Sequence, residues 1–216
     1  MRFRDRRDAG RRLAPLLKDY AGREDVVVLA LPRGGVPVGY EIARSLGVRL
    51  EVFLVRKLGV PGQEELAMGA IASGAVRVLS SDLVAALGIS AEMIESVARR
   101  EEAELTRREK AYRGDREPVQ IEGKVTVLVD DGLATGSSMR AAVRAVRKLA
   151  PSRIVVAVPV GAPSTCSDLR EEADEVVCAY TPEPFQAVGL WYEDFTQTTD
   201  AEVRELLDGS RTASAG

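Results

Sequence analysis

Two adjacent carboxylates, Asp130 and Asp131, are followed within seven residues by Ala134, Thr135, Gly136, Ser137 and Ser138. Ahead of them, Val125, Val127, Leu128 and Val129 form an apolar run of the kind that makes a strand buried on both faces. Behind them, Met139 to Leu149 carries apolar residues at helical spacing. The carboxylates therefore fall at the carboxyl end of a strand, where open α/β sheets hold their ligands. Backbone N–H groups and hydroxyls at a helix N-terminus suit a phosphate, because the orphan donors and the helix dipole favour an anion. A carboxylate pair suits vicinal hydroxyls or a divalent cation. A ribose 5-phosphate offers both groups at once. The run lacks the Gly-Lys-Ser/Thr of a Walker loop and the G-x-G-x-x-G of a dinucleotide fold.

A second Gly-containing turn, Leu31 to Gly35, follows the apolar run Val26 to Leu31 and precedes a helical pattern over Val38 to Leu46. Its adjacent glycines let a ligand approach the backbone, and Arg33 adds a planar cation suited to phosphate oxygens. Arg56 and Lys57 come after another apolar run, Leu50 to Val55, as two charges at a strand end. Late in the chain, Pro184 to Phe195 holds four of the ten Phe, Tyr and Trp residues. Such aromatics either stack a planar base or belong to the core.

Histidine is absent, which removes histidine general bases, Ser-His-Asp triads and histidine-ligated metals. The formal net charge of -3 gives no global basic field for nucleic acid. Cys166 and Cys178 form no CxxC and read as two buried thiols of a cytoplasmic protein. The basic N-terminus carries acids and lacks the long apolar core of a signal peptide, and no apolar run reaches a membrane span.

The elements that must position these residues alternate strand and helix. An amphipathic helix is expected over Asp8 to Tyr20, then strands over 26–31 and 50–55, with a charged loop from Arg56 to Glu65. Short strands over 68–72 and 76–79 join at Ser73-Gly74, and Ser90 caps a long Arg- and Glu-rich helix over Ala91 to Ala111. Strands over 125–129, 154–159 and 176–179 follow, with a last helix over Asp200 to Leu207. This order predicts an α/β fold, a parallel Rossmann-like open sheet with flanking helices. One domain spans 1–208, with a helical insertion or flap at about 81–115 and a disordered tail at 209–216.

The stretch VTVLVDDGLATGSSM, 125–139, resembles the phosphoribosyl pyrophosphate (PRPP) motif of type I phosphoribosyltransferases, and its DD-x-LATG form is similar to that of adenine-type enzymes. The resemblance covers 26–195 in outline, and the insertion at 91–111 looks like an uncharacterised bacterial branch. It implies the type I fold, Mg²⁺ held through PRPP, a base or nucleotide as second ligand, and a homodimer. It implies that Asp130 and Asp131 serve catalysis at the ribose hydroxyls and that 134–138 bind the 5-phosphate. Arg33, Gly34 and Gly35 become the pyrophosphate loop, which in the family often carries a non-proline cis peptide; Arg56 and Lys57 add pyrophosphate contacts. Phe185, Val188, Trp191 and Tyr192 flank the base, and Glu193 stands where an acid meets metal. The segment 61–65, at the place of the family's mobile catalytic loop, matches poorly. Ala134 replaces the acidic residue of hypoxanthine-guanine enzymes, which argues against 6-oxopurines. The expected activity is transfer of phosphoribosyl from PRPP to a nucleobase or related nitrogen acceptor. The other readings are a PRPP- or nucleotide-binding regulator without catalysis, and a hydrolase built on the Asp pair.

Overall fold

The computed structural model describes residues 2–114 and 118–212. Five parallel strands form the central sheet: β1 (Val26–Ala30), β2 (Arg49–Val52), β6 (Val125–Val129), β7 (Arg153–Val160) and β8 (Glu175–Tyr180), in the order β2-β1-β6-β7-β8. Every residue of β1 and β6 is buried, because both faces of the sheet are covered. Alternation along each strand feeds two cores. Val26, Val28 and Ala30 join Val125, Val127 and Val129 under α1 (Arg6–Leu13), α2 (Gly35–Leu46) and α7 (Asp200–Thr212). Val27, Leu29 and Leu128 meet Met139, Val143 and Leu169 from α5 (Ser137–Lys148) and α6 (Pro163–Leu169) on the other face.

After β1 the chain turns outward to β2, and it returns to β1's other side as β6. The order reverses between β1 and β6, which makes that gap the topological switch point. Register brings the two strand ends level: Val26 pairs with Val125, and Ala30 with Val129. The turn after Ala30 and the carboxylates after Val129 therefore emerge side by side.

The expected loop at 56–65 is instead strand. β3 (Val55–Val60), β4 (Gln63–Ala72) and β5 (Val76–Leu79) form a separate antiparallel sheet. Pro61 and Gly62, with φ of 81° at the glycine, make only the turn between β3 and β4. Gly59 lies where the register shifts, and a Cβ there would stand 2.8 Å from Glu64 O, so the hairpin closes because that side chain is missing. Leu58, Val60 and Met68 bury their side chains and hold the hairpin against the body.

The insertion consists of α3 (Ser81–Ala86) and α4 (Ala91–Arg113), and the Ser90 hydroxyl caps α4 by accepting from Met93 N–H at 3.2 Å. The last helix runs to Thr212, beyond the expected end at Leu207. Val203, Leu206 and Leu207 dock it on the core, and Ser210 is buried, so residues 209–212 of the expected tail are helical; 213–216 lie outside the described residues. The first expected helix splits into α1 and a 3-10 segment, Ala14–Tyr20, at Pro15. Among the described residues, no helix is long and apolar enough to cross a membrane.

Candidate active site

The two glycines of the β1 turn face the end of β6, where the Asp131 carboxylate crowds Gly34 and the Val129–Asp130 backbone crowds Gly35. Leu31 N–H donates to Val129 O at 2.8 Å, tying the turn to β6. A Cβ at Gly34 would stand 2.6 Å from Asp131 Cγ, and one at Gly35 would stand 2.6 Å from Val129 O. The peptide between Pro32 and Arg33 is cis. Arg33 is left at the mouth of the turn, with one ion-pair contact, 3.8 Å to Asp200.

The two carboxylates have different surroundings. Asp131 accepts from Arg6 Nε at 2.8 Å, and both side chains are largely shielded from solvent. Arg6 is itself fixed by donating to Thr196 O at 2.7 Å and by lying 4.0 Å over the Phe195 ring. The Tyr192 hydroxyl donates to Asp131 O at 2.6 Å, bracing the backbone. Among the described residues, the half-buried Asp130 carboxylate accepts only Asp131 N–H, at 2.8 Å. Burial first, and the charge of Asp131 second, push its carboxyl well above the ordinary 3.8. Asp130 thus lacks compensation, which hydroxyl donors or a cation would supply. It lines a cleft of about 110 Å³ with Pro32, Arg56, Arg108 and Ser138.

Beyond the acids, the loop is laced to β7 and then opens to solvent. Leu133 N–H donates to Val160 O and Ala162 N–H to Leu133 O, both at 2.9 Å. Thr165 donates its hydroxyl proton to Ala134 O at 2.7 Å. Gly136 takes φ of 71°, a left-handed turn closed to most residues, and a Cβ there would meet Thr165 Cγ2 at 2.6 Å. It caps α5 without any side-chain bond, so the first N–H groups of α5 stay available beside the exposed Thr135, Ser137 and Ser138. The hydroxyls of Thr135 and Ser137 are 2.8 Å apart. An anion seated here meets N–H and O–H donors together, next to the acid pair.

No group of three His, Cys, Asp or Glu residues among the described residues could cage a metal. The donor set still fits Mg²⁺, which binds through one or two carboxylates and takes its other oxygens from phosphates and water. The uncompensated Asp130 is the fitting carboxylate.

A family model for the phosphoribosyl transferase domain matches residues 4–190. The chain belongs to that family. A provisionally named phosphoribosyl transferase of Mycobacterium tuberculosis is 47% identical over 206 residues, 95% of this chain and 46% of that protein. The chain thus spans about half the length of the curated relatives it matches. The crystal structure of TT1426 from Thermus thermophilus superposes with a TM-score of 0.85 at 46% identity, covering 96% of this chain and 98% of that one. A Neisseria gonorrhoeae hypothetical protein with bound ppGpp shares the fold alone, at TM-score 0.50 and 13% identity over 98% of this chain and 99% of that one.

Within this fold, Arg33, Gly34, Gly35, Asp130 and Asp131 come together at the switch point, with Thr135 to Ser138 at the head of α5. Arg56 and Lys57, consecutive on β3, share one cavity with Glu64 and Glu101 and each also reaches a second one. Arg56 lines the cleft with Asp130, whereas Lys57 lines a separate cavity with Ser137, Arg140 and Arg144. Val188 packs onto Gly132, where a Cβ would lie 2.5 Å from Val188 Cγ1, so the aromatic segment docks on the acid loop. Phe185, Val188 and Trp191 are half-buried around that contact. Tyr192 corrects the sequence reading: it is 4% exposed, pressed on Phe3 and Phe195, and has no open ring face for a base. Glu193 is exposed, and its N–H donates to Phe3 O.

Sequence reasoning missed Arg6, Thr165 and Arg108. Arg6 lies 125 positions from Asp131, and nothing local marks it among its basic neighbours. The two thiols also meet, for a Cβ at Gly161 would lie 2.6 Å from Cys166 Sγ and 3.4 Å from Cys178 Sγ.

Proposed function

We propose that this phosphoribosyl transferase moves the 5-phosphoribosyl group of PRPP onto a nucleobase or related nitrogen acceptor, releasing pyrophosphate with Mg²⁺. The observation that carries the reading is the level pairing of β1 with β6, which brings a Gly-Gly turn with Arg33 against the Asp130–Asp131 pair. One end of that arrangement suits pyrophosphate and the other a ribose 5-phosphate.

Each part has a physical task. Thr135 to Ser138 and the open N–H groups of α5 anchor the 5-phosphate, and fixed orientation lowers the barrier by several kcal/mol, on the order of 7. Asp130 and Asp131 accept from the ribose hydroxyls, and their negative charge favours the cationic sugar that develops as the C1–oxygen bond stretches. Arg6 sets Asp131's position, while Asp130 has no ion pair among the described residues. Arg33 and the backbone of Gly34 and Gly35 face the leaving pyrophosphate. Mg²⁺, when bound through PRPP, supplies charge neutralisation to that leaving group. Phe185, Val188 and Trp191 border the acceptor, on the segment docked against Gly132.

Calorimetric titration of PRPP with Mg²⁺ tests the donor, repeated on the Asp130→Asn, Asp131→Asn double variant. Micromolar binding lost in the variant, and turnover lower by at least ~10²-fold in either single variant, is expected. Absence of PRPP binding to the wild type removes the transferase reading.

A second reading is a nucleotide-binding regulator on the same fold. Ion pairs that occupy Asp131 and Arg56 favour it, since they match these site charges within the protein itself. The fold-level neighbour with bound ppGpp is consistent with such a role. Tight PRPP binding without pyrophosphate release from any acceptor in a broad nucleobase panel would select this reading.

A further inference from the structure

We propose that the insertion helix completes the pyrophosphate subsite, with Arg108 of α4 as the guanidinium that grips the leaving pyrophosphate opposite Asp130. The proposal rests on the phosphoribosyl transfer reading and adds to it a residue outside every motif of the sequence.

Arg108 sits in line with the buried stripe of α4, with its own side chain 46% exposed. Glu101, Leu105, Arg108 and Tyr112 follow one another at spacings of four, three and four, which is one face of a helix. Leu105 and Tyr112, on either side of it, are 3% exposed. The stripe is pinned at both ends: Glu101 pairs with Arg56, and the Tyr112 hydroxyl donates to Asp200 at 2.7 Å. Arg77 adds ion pairs to Glu95 and Glu102. Arg108 is thereby delivered to the cleft that Asp130, Ser138 and Pro32 line.

Charge decides between the cations on offer. Arg56 faces the same cleft, but Glu101 takes its Nε and terminal nitrogen at 2.6 Å, and Glu104 stands at 4.0 Å. Its charge is already matched. Arg108 gives Glu104 only its Nε, at 2.8 Å, and among the described residues its two terminal nitrogens have no hydrogen bond. A guanidinium has five N–H donors, so Arg108 keeps a fork for a phosphate while Glu104 holds its stem. Arg107 shares Glu104 through two hydrogen bonds and is 67% exposed, so Glu104 loses little if Arg108 turns further inward. Pyrophosphate carries several negative charges, and Arg33 alone does not match them.

The test is calorimetric titration of wild type, Arg108→Ala, Arg108→Lys and Arg107→Ala with Mg²⁺-pyrophosphate, PRPP and ribose 5-phosphate. Arg108→Ala is expected to weaken pyrophosphate and PRPP by about tenfold or more, and to leave ribose 5-phosphate unchanged. Arg108→Lys should recover part of the loss, since lysine keeps the charge without the fork, and Arg107→Ala should match wild type. Equal PRPP binding by Arg108→Ala and wild type overturns the proposal and spares the transferase reading. A parallel loss of ribose 5-phosphate also overturns it, by showing a structural role. Wild type that binds neither PRPP nor pyrophosphate removes both.

Discussion

Replacing Gly34 by Ala adds one methyl group to the most crowded point of the site. Gly34 has φ of -62° and ψ of -34°, an ordinary helical conformation open to alanine. On backbone grounds alone, the change would stabilise the protein by about 0.4–1 kcal/mol, by narrowing the unfolded ensemble. The added Cβ would stand 2.6 Å from Asp131 Cγ and 3.2 Å from Arg6 Nε. Carbon atoms pack at about 3.5–4.0 Å, so the carboxylate must yield about 1 Å. It has little freedom, being held by Arg6 at 2.8 Å with the Asp131 carbonyl bonded to Tyr192. Overpacking costs about 1–3 kcal/mol, and weakening the shielded charge-assisted bond adds about 1–2, for a net loss near 3 kcal/mol. For a chain of this size that is a fall of about 6–12 °C in Tm. Thermal and urea unfolding followed by circular dichroism would read it. The mechanism is checked by a cycle with Asp131→Ala, which removes the clashing carboxylate. Gly34→Ala should then cost about 1–2 kcal/mol less than in the wild-type background. If the glycine change costs the same in both backgrounds, contact with Asp131 is not why glycine stands there.

Asp130→Asn should raise Tm at about pH 7.5 while lowering turnover by at least ~10²-fold. An acid whose folded pKa lies above the ordinary 3.8 binds its proton more tightly folded than unfolded. Its contribution is favourable while protonated, below the ordinary value, and is lost as pH rises through the folded value. The variant's advantage should therefore close as pH falls toward about 4, and a gap of constant size across melts from pH 4 to about 8 would contradict the assigned burial. Tyr192→Phe removes the hydroxyl that supports Asp131 O inside the core, and should cost about 1–2 kcal/mol in urea unfolding. The same variant should keep any nucleobase preference intact, because the ring faces Phe3 and Phe195; a changed acceptor profile would return Tyr192 to the base site.

Local rules reach some residues and not others. Val125 to Val129 is a strand in sequence and in space, with the acids at its end and a helix behind it, since strand burial and helix starts are written in adjacent residues. The hairpin at 55–72 escapes a local reading because Gly59, Pro61 and Gly62 signal breaks, and only the pairing of Val55 with Ala72 and Leu58 with Gly69 shows that the chain continues as strand across them. Tyr192 reads as an available aromatic in a loop, but Phe3, from the opposite end of the chain, covers it.

By itself the sequence determined the α/β class, the strand that ends in Asp130 and Asp131, and the hydroxyl-rich helix start that follows, because each is a pattern of near neighbours read by periodicity and turn chemistry. The tertiary structure decided that Arg6 pairs with Asp131 and leaves Asp130 without an ion pair among the described residues, that Arg56 is neutralised by Glu101, and that Arg108 faces the cleft. Those pairings join residues 125 and 45 positions apart. Charge balance at a site depends on distance and burial, and neither exists until the sheet has brought its strand ends level.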